Sequence, residues 1–170
     1  MEENLSTLVE KLIQSCREDD WWDFKREHHH DKAELVHDIT CMANSRANRD
    51  AYIILGVENK TFSIYGVEKD TNRRDQQKIV DILKGVSYAG SVRPRIELRN
   101  IMLEQHEIDV LVVKNTNDVP YYLEKQYQDS QLKDSDGKKT GRIVRPFHIY
   151  TRVVDTNTPI DRNADLNDVE

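Results

Sequence analysis

Ala51-Tyr52-Ile53-Ile54-Leu55-Gly56-Val57 is an unbroken apolar run, one strand long and without polar alternation. Such a run suits a strand buried on both faces. The next stretch, Thr61 to Val67 (TFSIYGV), alternates in part, and the polar Glu58-Asn59-Lys60 between them predicts a hairpin. Upstream, Leu35, Val36, Ile39, Met42 and Ala43 recur at helical spacing. They predict a helix over about residues 32–45, ending where the Asn44 and Ser45 side chains compete with helical backbone bonds. Trp21 to Lys25 (WWDFK) concentrates aromatic residues and reads as a short strand. Leu5, Leu8, Val9, Leu12, Ile13 and Cys16 form the stripe of an opening amphipathic helix with Asn4 as its cap.

Downstream, Ile79, Ile82, Leu83 and Val86 mark a third helix. Strands are expected at Ile96–Leu103 and Ile108–Val113, joined by the polar Glu104–Glu107 turn, and a final strand at Phe147–Val153. Residues 124–141 have few large apolar groups and read as a mobile loop or insertion. The sum is an α+β fold: a mixed, largely antiparallel sheet with about three packed helices. The domain is expected to span 1–154. Residues 155–170 read as an acidic tail, the start of a truncated C-terminal region without a closing hydrophobic element.

At 170 residues and 19.9 kDa the chain suits a single domain. Its 37% hydrophobic content and mean hydropathy of -0.77 are polar for a globular protein. No apolar run approaches the ~20 residues of a bilayer span, and the acidic start MEENLSTLVEKL lacks a signal pattern. Cys16 and Cys41 are too few for a disulfide framework, so a cytoplasmic protein without membrane attachment is expected.

The formal charge of -6 argues at first against a nucleic-acid partner. The distribution is uneven, however. Residues 1–70 carry 9 basic and 15 acidic groups, residues 71–154 carry 15 and 11, and residues 155–170 carry 1 and 5. A local basic face on an acidic protein is compatible with that asymmetry, and so is a solvated surface of mixed charge.

Glu18, Asp19, Asp20 and Asp23 place four carboxylates within six positions. Like charges this close raise one another's pKa unless a cation sits among them, and hard ions such as Mg or Mn favour such oxygens. Glu18 and Asp23 are an odd number of residues apart, so a shared site requires a bend between them. His28, His29 and His30 diverge in direction and read as an exposed loop rather than a metal site. Gly137-Lys138-Lys139-Thr140 lacks the upstream glycine of a phosphate loop, which leaves an ATP site without local support. No nucleophile elbow and no Cys-His pair emerges, and both cysteines read as buried thiols.

The order of motifs resembles the Schlafen AlbA-type (AlbA_2) domain family: an acidic stretch ending Asp23-Phe24-Lys25, a helix ending Ala43-Asn44-Ser45, an apolar strand ending Gly56-Val57-Glu58-Asn59, then Gly66-Val67, and late in the chain Tyr150-Thr151-Arg152. Val119-Pro120-Tyr121 sits where the family often carries a proline. The resemblance covers approximately residues 17–154. It implies nucleic-acid handling, since bacterial and archaeal members are described as DNA-binding domains or regulators, while animal Schlafens bind and cleave structured RNA. In the nuclease branch three acidic positions hold a divalent metal. The first two fall on Glu18 and Asp23, and the third falls on the neutral Asn59, with Glu58 next to it. The family's glycine pair is replaced by the RANRD of residues 46–50.

Three readings follow. In the first, a non-catalytic DNA- or RNA-binding domain contacts backbone phosphates through Lys25, Arg26, Arg46, Arg49, Arg73, Arg74, Arg93, Arg95, Arg142, Arg145 and Arg152, with Trp21, Trp22, Tyr121 and Tyr122 available to stack on bases. In the second, a metal-dependent endoribonuclease uses Mg or Mn held by Glu18, Asp23 and Glu58, while Lys25 steadies the phosphate. In the third, a regulatory protein-interaction domain uses the acidic tail and the first helix. Paired lobes in the Schlafen family form a larger groove, so a homodimer is expected. The first reading requires the arginines to gather into one positive strip on folding.

Overall fold

The structure, a computed structural model, describes residues 4–164. Its centre is a four-stranded sheet in the order β1-β2-β4-β3. The strands are β1 (Trp22–Lys25), β2 (Ala51–Leu55), β3 (Ile96–Leu103) and β4 (His106–Val113). β1 runs parallel to β2 and the other pairings are antiparallel, so the expected mixed α+β sheet is present.

The apolar run at residue 51 is explained by its neighbours. Alternate residues of β2 enter opposite cores: Ile53 and Leu55 pack under α2 (Lys32–Ala43) and α3 (Gln76–Lys84), whereas Ile54 packs with Val9 and Leu12 of α1 (Leu5–Gln14). With a layer of helix on each face and a strand on each side, every residue of β2 but the half-buried Tyr52 is buried. α1, α2 and α3 each begin at a side-chain cap, Asn4, Asp31 and Asp75, which accepts a backbone N–H two or three residues on. Among the described residues no helix is long and apolar enough to cross a membrane.

Several expectations are corrected. Thr61–Val67 is no hairpin strand: only an isolated bridge joins Val57 to Ile64, because both sides of β2 are already taken by β1 and β4. The segment instead folds back where the N–H groups of Tyr65 and Gly66 both donate to Gly56 O, at 2.8 and 2.9 Å. Gly56 permits that approach. Its φ is +116°, and a Cβ there would stand 2.9 Å from Ile108 Cδ1 and 3.2 Å from Gly66 Cα.

Residues 124–141 are tied to the domain near both ends, while nearly all of 130–140 stays exposed as a loop. β5 (Tyr127–Gln128) pairs with β6 (Ile143–Val144), buried Asp129 accepts from Lys32 N at 3.2 Å, and Arg142 N donates to Asp31 Oδ2 at 2.7 Å. The strand expected at Phe147–Val153 shrinks to β7 (Arg152–Val153), paired with β8 (Thr156–Asn157). Cys16 is exposed beyond the end of α1, while Cys41 is buried as expected.

Residues 155–164 lie against the domain. Ile160 is buried in the α2-side core, and its carbonyl accepts from Tyr150 Oη at 2.6 Å. An apolar closing element is therefore present, contrary to the sequence reading. The rest of the acidic tail, 165–170, lies outside the described residues.

Candidate nucleic-acid interface

β1 carries the centre of the site. Trp22 and Phe24 enter the α1-side core, so Asp23 and Lys25 are presented to the α2 side. Lys25 Nζ stands 3.3 Å from Asp23 Oδ2 and 3.6 Å from Asp38 Oδ2 on α2. The bend that the odd spacing of Glu18 and Asp23 requires is present, as Asp19 and Trp22 form an isolated bridge. Glu18 Oε2 then accepts from Phe24 N at 2.8 Å, which brings the Glu18 and Asp23 carboxyls together.

Arg152 closes this cluster from β7. Its Nη2 lies 3.7 Å from Glu18 Oε1 and 3.5 Å from Asp23 Oδ1. The same guanidinium donates to Asp19 O, Trp22 O and Asn157 Oδ1 at 2.7, 3.2 and 2.9 Å. Burial, reinforced by the Asp23 carboxylate, pushes Glu18 up to about 8 against the opposing Phe24 amide and Arg152, so Glu18 holds its proton at neutral pH. Asp38 behaves oppositely: burial disfavours its charge, but hydrogen bonds from His29 and His37, with Lys25 nearby, hold it well below the usual carboxylate range. Burial likewise disfavours the Lys25 ammonium, yet Asp38 and Asp23 outweigh that and raise its pKa.

The Mg or Mn ion implied by the resemblance does not fit these residues. Arg152 and Lys25 already supply the cationic neighbours of Glu18 and Asp23 and occupy the side of the carboxyls where an ion would sit. Glu58 is engaged elsewhere. Its Oε2 accepts from Lys60 N, Thr61 N and Thr61 Oγ1 at 2.9, 2.6 and 3.0 Å, capping the turn after β2. Among the described residues no group of three or more His, Cys, Asp or Glu is placed to hold a metal ion.

The histidine triplet is not the exposed loop expected. His28 is buried with Nε2 2.8 Å from Asp109 Oδ2, His29 Nε2 is 2.5 Å from Asp38 Oδ2, and only His30 is exposed, 3.2 Å from Asn72 Oδ1. Each ring takes a separate partner, in keeping with the divergence of adjacent residues. Beside them opens a pocket of about 580 Å3 whose lining includes Lys25, Arg26, His29, His30, Asp38 and Arg142.

The other arginines do not assemble into one strip. Arg152 is 3% exposed and committed to internal acceptors, so it cannot meet a phosphate on the surface. Arg73 is forked onto Asp109, with Nε and Nη2 at 2.9 and 3.0 Å, and reaches Glu107 as well. Arg74 donates to His29 O. Arg49 lies over the Trp21 ring at 3.5 Å and Arg26 over Tyr65 at 4.1 Å, both exposed and both able to turn their outer edge to a ligand. Arg93 and Arg95 line clefts beside α3. Arg46 is exposed beyond α2, and Arg142 and Arg145 are exposed at the two ends of β6.

Trp22 and Tyr121 are buried and unavailable for base stacking. Trp21 carries Arg49, and half-buried Tyr122 lies 6.3 Å from Phe147, which is 66% exposed. Sequence reasoning missed His29, Asp38 and Phe147. The one available signal was Asp38, a carboxylate between Val36 and Ile39 on an apolar helix face.

The motif residues are largely architectural. Asn44 Nδ2 donates to Tyr121 O and Tyr150 O, both at 2.8 Å, and its Oδ1 accepts from Tyr121 N at 2.6 Å. Ser45 Oγ donates to Asp20 O at 2.7 Å.

The model of one protein family, described as "Schlafen, AlbA_2", matches residues 18–161. A search of curated proteins found no match. Among solved structures, the crystal structure of the DIP2311 protein from Corynebacterium diphtheriae is similar in fold, with a TM-score of 0.51 and 18% sequence identity. The match covers 91% of this chain and 26% of that one, so the chain spans about a quarter of its length.

Proposed function

The chain belongs to the Schlafen AlbA_2 family, and from that premise we propose that it is a non-catalytic nucleic-acid-binding domain that holds DNA or RNA through phosphate groups. The observation that supports the reading best is the pocket at the end of β1, where the neighbouring Lys25 and Arg26 and the sequence-distant Arg142 line one opening. Among the described residues the Arg142 side chain has no ion-pair partner, and Arg26 is stacked rather than paired. Their charge is therefore available to a phosphate oxygen. The interface is small and local, in keeping with an acidic protein whose remaining arginines are structural or on other faces. The reading extends to a homodimer, in which a second lobe would lengthen the cationic path; light scattering showing a monomeric mass at assay concentration would remove that part alone.

Fluorescence anisotropy with labelled single-stranded RNA, double-stranded RNA and double-stranded DNA tests the function. Binding should be measurable at low salt and should weaken steeply as salt rises. Absence of binding to all three, or an isotherm indifferent to salt, overturns the proposal and favours a protein partner.

A further inference from the structure

Among the described residues, His29 Nδ1 is the only fully buried side-chain nitrogen or oxygen without a hydrogen-bond partner. Buried polar atoms are rarely left so, and each exception asks for an explanation. This one belongs to a ring whose other nitrogen is fixed on Asp38 and whose side chain is 6% exposed, in the wall of the pocket that also presents Lys25, Arg26 and Arg142. Resting on the nucleic-acid reading, we infer that this pocket takes the terminal phosphate of a strand, a phosphomonoester end, with His29 Nδ1 as its innermost contact.

Depth separates an end from an internal phosphate. Arg26 and Arg142 are exposed, whereas His29 and Asp38 are buried. A phosphodiester within a strand is flanked by sugars on both sides and stays level with the exposed arginines. A chain end has one covalent attachment and can descend toward the imidazole, whose Nδ1 is closed to solvent in this structure and is uncovered as the phosphate enters. Charge points the same way. A phosphomonoester carries about -1.5 to -2 at pH 7, against -1 for a diester, and so gains more from the guanidinium groups of Arg142 and Arg26, which no carboxylate among the described residues neutralises in the wall of the pocket. Glu27 and Glu34, both exposed, also border the opening and oppose a run of phosphates laid across it.

The imidazole has the chemistry for the contact. Asp38 accepts from Nε2–H, and a protonated ring offers Nδ1–H as a second, charge-assisted donor to a phosphate oxygen. Asp38 also accepts from Asn157 Nδ2 at 2.9 Å, and His37 Nδ1 lies 3.7 Å from its other oxygen. The ring that would meet the phosphate is therefore held in a fixed orientation.

The test uses one octanucleotide RNA sequence with a 5′-phosphate, a 3′-phosphate or hydroxyls at both ends, each carrying an internal fluorophore, titrated with the full chain. One phosphorylated form should bind about tenfold tighter than the hydroxyl form, and which one identifies the end recognised. His29→Gln should erase the difference, and Arg142→Ala, an exposed change that leaves the His29–Asp38 pair in place, should shrink it. Equal affinity for all three RNAs, with binding intact, overturns this inference and leaves the nucleic-acid reading standing. A preference that persists in both variants overturns the assignment to this pocket. Failure of all three to bind at low salt overturns both.

Discussion

Arg152 Nη2 lies 3.5 Å from Asp23 Oδ1, with 2% and 7% of the two side chains exposed, so a β7 arginine near the C-terminal end of the domain pins the first strand of the sheet. Removing one partner of a buried charged pair leaves the other without compensation. Arg152→Ala should therefore cost about 3–5 kcal/mol in urea unfolding. Arg152→Lys should recover little of it, because one ammonium cannot replace a fork that reaches Asp19 O, Trp22 O and Asn157 Oδ1 together. A loss under 1 kcal/mol in Arg152→Ala would show that this guanidinium is not the clasp described.

Glu18 sits at the other edge of the same cluster, with its pKa pushed by burial, and then by Asp23, from 4.5 to about 8. The folded state thus binds a proton that the unfolded chain releases near 4.5. The associated stability is complete below about 4.5 and is lost as pH rises through about 8. Glu18→Gln keeps the neutral shape and has no proton to lose. The difference in unfolding free energy between variant and wild type should therefore move in favour of the variant from pH 5 to pH 8. Taking the difference cancels the titration of groups that do not touch Glu18, and a difference that stays flat would contradict a protonated Glu18.

Asp109 on β4 gives the opposite slope. Burial works against its charge, but His28, Arg73 and Asn100 all bond its carboxylate and hold its pKa well below the ordinary value. Its contribution is present above about pH 4, near the unfolded pKa, and is lost as pH falls further. At pH 7, Asp109→Asn should cost about 3–5 kcal/mol as His28 and Arg73 lose their anion. The gap to wild type should narrow below pH 4, as followed by circular dichroism in urea.

These networks mark the limit of what the sequence discloses. Helix stripes and caps are local, and Leu5–Gln14, Lys32–Ala43 and Gln76–Lys84 fall where the spacing of apolar residues puts them. The hairpin at residues 51–67 was misread because a run buried on both faces needs two strand neighbours, and β2 finds them in β1 and β4, not in the next segment. The apparent loop at 124–141 is held by Asp31 and Asp129, whose partners lie about a hundred residues away along the chain. The same reason hid the histidines. His28 and His29 look like solvated polar residues until Asp109 and Asp38 arrive from β4 and α2. Arginine identity was equally uninformative, since Arg152 and Arg142 read alike in one dimension, yet one is 3% exposed and the other lies on the surface.

That contrast yields the most discriminating test of the binding surface. Each cation that neutralises a phosphate releases condensed counterions, so the slope of log K against log salt counts such contacts. Arg26→Ala and Arg142→Ala, at the mouth of the pocket, should each weaken nucleic-acid binding and lower that slope by about one, with the double variant lower by about two. Arg93→Ala and Arg95→Ala, at clefts beside α3, should leave the slope unchanged. Both pairs of residues are exposed, so loss of fold does not confuse the comparison, and thermal melting of each variant checks this directly. If the α3-side pair lowers the slope and the pocket pair does not, the polynucleotide lies along the other face and the site at the end of β1 must be abandoned.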